Sequence, residues 1–284
     1  MNAKKKSILD VRQAKINGLK LTMMTAYDYP FGLLADEAGV DIVLVGDSVG
    51  MVVMGLDETA AVTMADMLHH IKAVVRGCKN ALIVGDMPFM SYNISIEDAI
   101  RNAGRLIKEG GCDAVKLEGG TDFAATVEAI VKAGIPVQGH IGLTPQTANA
   151  LGGFKTQGKD AAAAKKIIED ARALECAGVL SMILEAVPAP LGKMVAEAVD
   201  VPVIGIGAGV DVDGQVLVTH DMIGLFDRFV PKFVKQYANI RRDILNALNA
   251  YKDEVQTGQF PGPEHSFLMS ETVLQELERK MRQR

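Results

Sequence analysis

Residues 41–55 read DIVLVGDSVGMVVMG. Residues 42–45 are an unbroken run of Ile, Val and Leu, which suits a strand buried on both faces, as in a parallel sheet. Gly46 ends the run, and Asp47 and Ser48 follow it. A carboxylate and a hydroxyl just past the end of such a strand have left the core, and they stand where α/β folds keep their active sites. Asp47 is therefore expected to be a metal ligand or an acid/base group, and this stretch alone leaves both readings open.

The same pattern recurs on either side. Apolar runs at residues 21–26, 81–85, 114–117, 137–141, 180–184 and 201–206 predict six further strands, with an eighth at 216–218 or around Met222. Helical patterns lie between them. Pro30 opens one helix that Gly39 closes, and Thr63 caps another that runs from 64 to 75 and stops by Gly77. Ser95, with Asp98 three residues on, precedes a stripe of Ile96, Ala99, Ile100, Ala103, Leu106 and Ile107 at helical spacing. Further helices are predicted from Thr121 to Ala133, from Asp160 through Cys176, and over 191–199. Strands alternating with helices, and no shift of composition between halves, predict a single (β/α)8 barrel over residues 1–284, with a doubly wound open sheet as the alternative. Residues 1–20 form a polar N-terminal leader. Residues 232–284 read as a helical extension, with Phe233, Tyr237, Ile240, Ile244, Leu248 and Tyr251 on one helical face and a last helix near Ser270. This extension is expected to pack on the barrel or on a neighbouring subunit.

Composition narrows the function classes. A chain of 284 residues with 49% hydrophobic and 23% charged residues is ordinary for a globular protein with a large core. Thirty Lys and Arg against 35 Asp and Glu give a net charge of −5, which favours neither nucleic acid nor an anionic membrane. No stretch has the length and apolarity of a membrane span, and the N-terminus lacks an apolar signal region, so a cytoplasmic enzyme is expected. Cys78, Cys112 and Cys176 are too far apart for a CxxC pair or for metal-ligand spacing, and are expected to be buried core thiols. The fourteen methionines read as packing.

The predicted strand ends carry Asp28, Asp47, Asp86, Glu118 and Glu185, with Lys116 and His140 beside them. A barrel brings such ends to one mouth. Lys116 and Glu118 are two apart, so a strand points both to the same face. Any one of these acids also reads as a capping or solvated strand-end group; five at corresponding positions weigh against that for the set. One lysine does not balance several carboxylates, and an oxygen-rich set without cysteine favours Mg²⁺ over zinc, with Asp47 and Asp86 sufficient to hold it. His140 is a packed histidine by default, and its place at a strand end makes it a candidate hydrogen-bond donor to substrate. His69, His70, His220 and His265 keep the ordinary reading. The glycines of IGIGAG (204–209) are expected to cradle an anion; they do not match the dinucleotide fingerprint GxGxxG. Residues 149–159, rich in Gly, Lys and Gln, read as a long active-site loop.

In order, the chain carries TAYDYP (25–30), VGDSVGMVVMG (45–55), VGDMPFMSY (84–92), VKLEGG (115–120), GHIGLTPQ (139–146), LEAVP (184–188), IGIGAG, HDMIGL (220–225) and FPGPEHSF (260–267). This ordered set closely resembles the ketopantoate hydroxymethyltransferase family. The resemblance implies a barrel of the phosphoenolpyruvate/pyruvate type. It implies transfer of a hydroxymethyl group from 5,10-methylenetetrahydrofolate to 3-methyl-2-oxobutanoate through a Mg²⁺-stabilised enolate, giving 2-dehydropantoate and tetrahydrofolate, the first step towards pantothenate. Carried over to this sequence, the metal ligands fall on Asp47, Asp86 and Glu118, and the keto-acid contacts on Asp47, Ser48, Asp86 and Lys116. His140 falls beside the substrate and the proton acceptor on Glu185. The resemblance also implies a homodecamer of two pentameric rings. Two rivals stand beside it: a Mg²⁺-dependent lyase or mutase of the same superfamily acting on another 2-oxo acid, and a non-catalytic barrel that binds a keto acid.

Overall fold

The computed structural model describes residues 5–150 and 152–283. These form two compact units, Met1–Tyr237 and Ala238–Arg284.

The first unit is an eight-stranded parallel barrel: β1 (Leu21–Thr25), β2 (Ile42–Val45), β3 (Leu82–Asp86), β4 (Ala114–Glu118), β5 (Val137–Gly142), β6 (Ser181–Glu185), β7 (Val203–Ile206) and β8 (Gly214–Leu217). Each strand pairs with the next, and β8 returns to β1 with Leu21 opposite Gly214 and Met23 opposite Val216. That closing pair excludes the open doubly wound sheet. The eighth strand lies slightly ahead of its expected place, because Gly214 and Gln215 supply backbone pairing without an apolar run.

Alternation of the strands sorts the side chains into two cores. Met23, Ile42, Leu44, Leu82, Val84, Ile183 and Ile204 fill the barrel interior. Val43, Val45, Ile83, Val115 and Leu184 point outward into a second layer with helix residues such as Ile71, Val74 and Leu174. The leader holds a helix, Ile8–Ile16, with a Ser7–Asp10 capping box. Its Val11 and Ala14 join the interior cluster. Lys15 donates to the carbonyls of Ala196 and Val201, which precede β7. The helix therefore closes the N-terminal end of the barrel, and the opposite end is left for chemistry.

Several local expectations are corrected. Thr121 does not cap a continuous helix: a 3-10 turn, Thr121–Phe123, precedes the helix Ala124–Lys132. The Thr121 hydroxyl and amide both donate to Asp170 on the neighbouring helix, which takes them away from capping. Cys78 and Cys112 are buried as expected, but Cys176 is exposed at the end of its helix. In the second unit the long helix is Ile240–Thr257, capped by Asn239 and ended by Gly258. Phe233 and Tyr237 therefore precede it instead of sharing its face. A helix Glu271–Arg282 follows, close to the expected place. Among the described residues no helix is long and apolar enough to cross a membrane.

Candidate functional site

The C-terminal ends of the strands surround one cavity. Asp47 and Ser48 reach it from the end of β2, Asp86 from β3, Lys116 and Glu118 from β4, His140 from β5 and Glu185 from β6. Asp28 is not among them. It caps the helix Tyr29–Glu37 by accepting from the Phe31 amide at 2.8 Å, and two residues, Ala26 and Tyr27, separate it from the end of β1.

Lys116 is the electrostatic centre. Its Nζ donates to both Asp86 oxygens at 2.8 and 2.9 Å and lies 3.5 Å from Glu118 Oε1. The Asp47 amide donates to Asp86 Oδ2 at 3.1 Å, which ties the ends of β2 and β3 together. Asp47, Asp86, Lys116 and Glu118 are all buried. Burial works against the Lys116 ammonium, but Asp86, Glu118 and Asp47 together outweigh it and raise its pKa. One ammonium cannot offset three buried carboxylates. Burial, opposed by Lys116 and reinforced by Asp47, pushes Asp86 up to about 7. Burial likewise raises Glu118, again against Lys116 and with Asp47 and Asp86 adding to it.

His140 stands between two acids. Its Nδ1 lies 3.4 Å from Glu118 Oε1 and its Nε2 lies 3.2 Å from Glu185 Oε2. Both separations are within ion-pair reach, yet neither nitrogen is aligned for a hydrogen bond. Burial is the largest influence on the imidazole and holds its pKa below the ordinary value, so the ring is neutral near pH 7.

The backbone around Glu185 is specialised. Gly142 takes a φ of 88°, and a side chain there would meet the Glu185 carbonyl oxygen at 2.4 Å. Ala186, the next residue after Glu185, holds a φ of 49°, a left-handed conformation that non-glycine residues adopt at a cost. The structure thus fixes the Glu185 carboxylate at the mouth through a close strand approach and a strained turn.

Sequence reasoning missed Gln146. Its side-chain amide donates to Asp47 Oδ2 at 2.8 Å and to the Met87 carbonyl at 2.9 Å. Its Oε1 accepts from the Tyr92 hydroxyl at 2.6 Å, and its backbone amide donates to Glu118 Oε2 at 3.0 Å. One residue in the turn Pro145–Thr147 therefore holds two of the carboxylates. Removing the amide strands a buried carboxylate oxygen, a loss that costs about 1–3 kcal/mol. Gln146→Leu is expected to lower unfolding free energy by that amount in chemical denaturation; an unchanged midpoint would show that the amide does not hold Asp47.

Ser48 shares a 2.7 Å hydrogen bond with the Tyr27 hydroxyl. Within the loop predicted at 149–159, Leu151 lies outside the described residues, and Phe154 lines the cavity. Where the glycine cluster was expected to cradle an anion, the Phe233 ring packs over Gly207: a Cβ on Gly207 would come within 2.6 Å of it. His220 keeps its ordinary reading, packed beside the rings of Tyr27 and Phe31. Its neighbour Asp221, also missed, lines the cavity with its carboxylate pushed up to about 6 by burial.

Comparison with known proteins adds the family. The model of the family Ketopantoate hydroxymethyltransferase matches residues 5–263. The chain is 61% identical to a 3-methyl-2-oxobutanoate hydroxymethyltransferase of Moorella thermoacetica, over 89% of this chain and 94% of that one. It is 58% identical to the protein of the same name from Heliobacterium modesticaldum, over 95% and 98%. Among solved structures it resembles a phosphonopyruvate hydrolase complexed with oxalate and Mg²⁺ (TM-score 0.60, 13% identity, 98% of this chain and 97% of that one). It also resembles 2,3-dimethylmalate lyase, a member of the PEP mutase/isocitrate lyase superfamily (TM-score 0.59, 13% identity, 92% and 93%). At that identity the structural likeness speaks to the barrel alone. The match along nearly the whole chain goes further: this protein belongs to the ketopantoate hydroxymethyltransferase family and is an enzyme of the transferase class.

Proposed function

We propose that the chain transfers a hydroxymethyl group from 5,10-methylenetetrahydrofolate to 3-methyl-2-oxobutanoate, giving 2-dehydropantoate and tetrahydrofolate. The observation that carries this reading is the arrangement at the mouth: a buried ammonium among three buried carboxylates, with Glu185 across His140 from Glu118. Family membership supports the choice of substrates.

The donor set fits Mg²⁺. Among the described residues no three His, Cys, Asp or Glu side chains gather closely enough to form a metal cage. Mg²⁺ needs no such cage, since one or two carboxylates, waters and substrate oxygens complete its shell. Asp47 and Asp86 bring hard oxygens to one place, and three buried carboxylates against the one Lys116 ammonium leave negative charge that favours a divalent cation. Glu118, held by the Gln146 amide, would complete the acidic set that holds the ion. Bound there, Mg²⁺ would supply Lewis-acid charge against the carboxylate and keto oxygens of the substrate.

The remaining work falls to side chains. Ser48 meets the substrate carboxylate. Lys116 places positive charge where the keto oxygen turns negative, in a site shielded from water. Glu185 takes the C3 proton, and the neutral His140 beside it, its pKa held down by burial, does not compete for that proton. The carbon nucleophile then forms a C–C bond to the one-carbon unit. Both bonds from the one-carbon unit to folate nitrogen break; one water supplies the hydroxyl oxygen, and the two nitrogens take the C3 proton passed through Glu185 and the remaining proton of that water. Family membership further supports a homodecamer and a cytoplasmic location.

The direct test is formation of 2-dehydropantoate and tetrahydrofolate with Mg²⁺ and both substrates. Absence of both products would reject the reading, and turnover of the keto acid without tetrahydrofolate would point to a lyase. Asp86→Ala is expected to weaken Mg²⁺-dependent keto-acid binding in calorimetry by at least about tenfold, the scale of a lost charge-assisted contact. Unchanged affinity would remove Asp86 from the metal site.

A further inference from the structure

The mouth of the barrel is divided chemically. The arc from β2 to β6 carries the charged groups described above. The arc that follows, from the end of β7 through β8 to residue 234, lines the cavity with Ile206, Val218, Phe226, Phe229 and Phe233, and with a single ionisable group, Asp221. Asp221 is only 7% exposed, and its Oδ1 has no hydrogen-bond partner among the described residues. A buried carboxylate oxygen without a donor is unfavourable, and a folded chain retains one where something else supplies the donor. The other residues of this arc that line the cavity are hydrocarbon and aromatic, and a ligand entering the cavity can supply the donor.

The surroundings define that ligand. Phe226, Phe229 and Phe233 line the same cavity as the carboxylate, and Phe233 is seated against Gly207, where no side chain intervenes. Such walls suit a flat ring by stacking. A carboxylate at their edge suits two adjacent N–H donors, the paired geometry that strengthens charge-assisted hydrogen bonds. A 2-amino-4-oxopteridine has both properties, through its 2-amino group and N3–H. We infer that Asp221 anchors the pterin ring of the one-carbon donor on the apolar arc, so that its one-carbon unit faces the keto acid held on the charged arc. This rests on the donor assigned above and adds the residue that recognises it.

The test measures equilibrium binding of tetrahydrofolate to the full chain and to Asp221→Asn. Keto-acid affinity in the presence of Mg²⁺ is measured on the same samples to report the folded state. The variant is expected to bind tetrahydrofolate about 10- to 100-fold more weakly, the range of a hydrogen bond to a charged group, with keto-acid affinity unchanged. A tetrahydrofolate analogue with methyl in place of the 2-amino group supplies the second arm. It should bind the wild type more weakly by a similar factor and lose less than about threefold more in the variant, because the two changes remove one interaction. Wild-type affinity for tetrahydrofolate in Asp221→Asn would overturn the assignment, as would a parallel loss of keto-acid binding. A wild-type chain that binds no tetrahydrofolate at all would overturn the donor reading itself, which separates the two failures.

Discussion

Glu185→Gln is expected to slow exchange of the C3 hydrogen of 3-methyl-2-oxobutanoate into deuterated water by about 10²- to 10⁴-fold, the usual contribution of a positioned general base. The measurement needs Mg²⁺ and no folate, and NMR follows the loss of the C3–H signal. Glutamine suits the test because it keeps the size of the side chain and a hydrogen-bonding amide while removing the basic oxygen. The backbone that carries it should survive: Gly142 still admits the close approach, and the left-handed turn at Ala186 does not depend on the carboxylate. Keto-acid affinity should therefore stay within a few-fold of wild type, and the loss should appear in rate. Exchange undiminished in this variant would remove Glu185 as the base. His140 would not be the obvious substitute, since its imidazole is buried and its pKa held down.

The placement of these groups was legible because parallel strands buried on both faces announce where they stop. Apolar runs end at Asp47, Asp86, Glu118 and Glu185, and barrel closure turns sequence-distant ends into neighbours. What was illegible has specific causes. Gln146 bonds Asp47 across 99 positions, and an amide in a short turn has no local signature for such a partner. Asp28 and Asp221 both follow strands at the β8–β1 seam, yet only Asp221 lines the cavity. The sequence could not rank them, because β8 is short and led by Gly214 and Gln215, so its end could not be located from hydrophobicity. Phe233 illustrates a third cause. Its spacing continues the stripe of the helix Ile240–Thr257, but periodicity records only that a residue is apolar, and here it lines a cavity instead of a helix face.

Lys116→Met is expected to reduce unfolding free energy by about 3–5 kcal/mol at pH 8, the cost of removing one partner from a buried ion pair. Lys116 is 2% exposed, and the substitution leaves Asp86, Glu118 and Asp47 buried together without their cation. The loss should depend on pH in a defined direction. Asp86, already pushed up to about 7, rises further without the ammonium, so the folded variant binds more protons than the unfolded chain from about pH 4 to above 7. Stability of the variant therefore falls as pH rises through that window, and its deficit against wild type is larger at pH 8 than at pH 5. Chemical denaturation at the two values reads the difference. Lys116→Met combined with Asp86→Asn should recover part of the loss, because the second change removes a carboxylate that the first left unpaired. Equal stability of Lys116→Met and wild type at pH 8 would show that the three carboxylates do not need this ammonium. Electrostatic relief in the metal-free protein would then have to come from protonation alone.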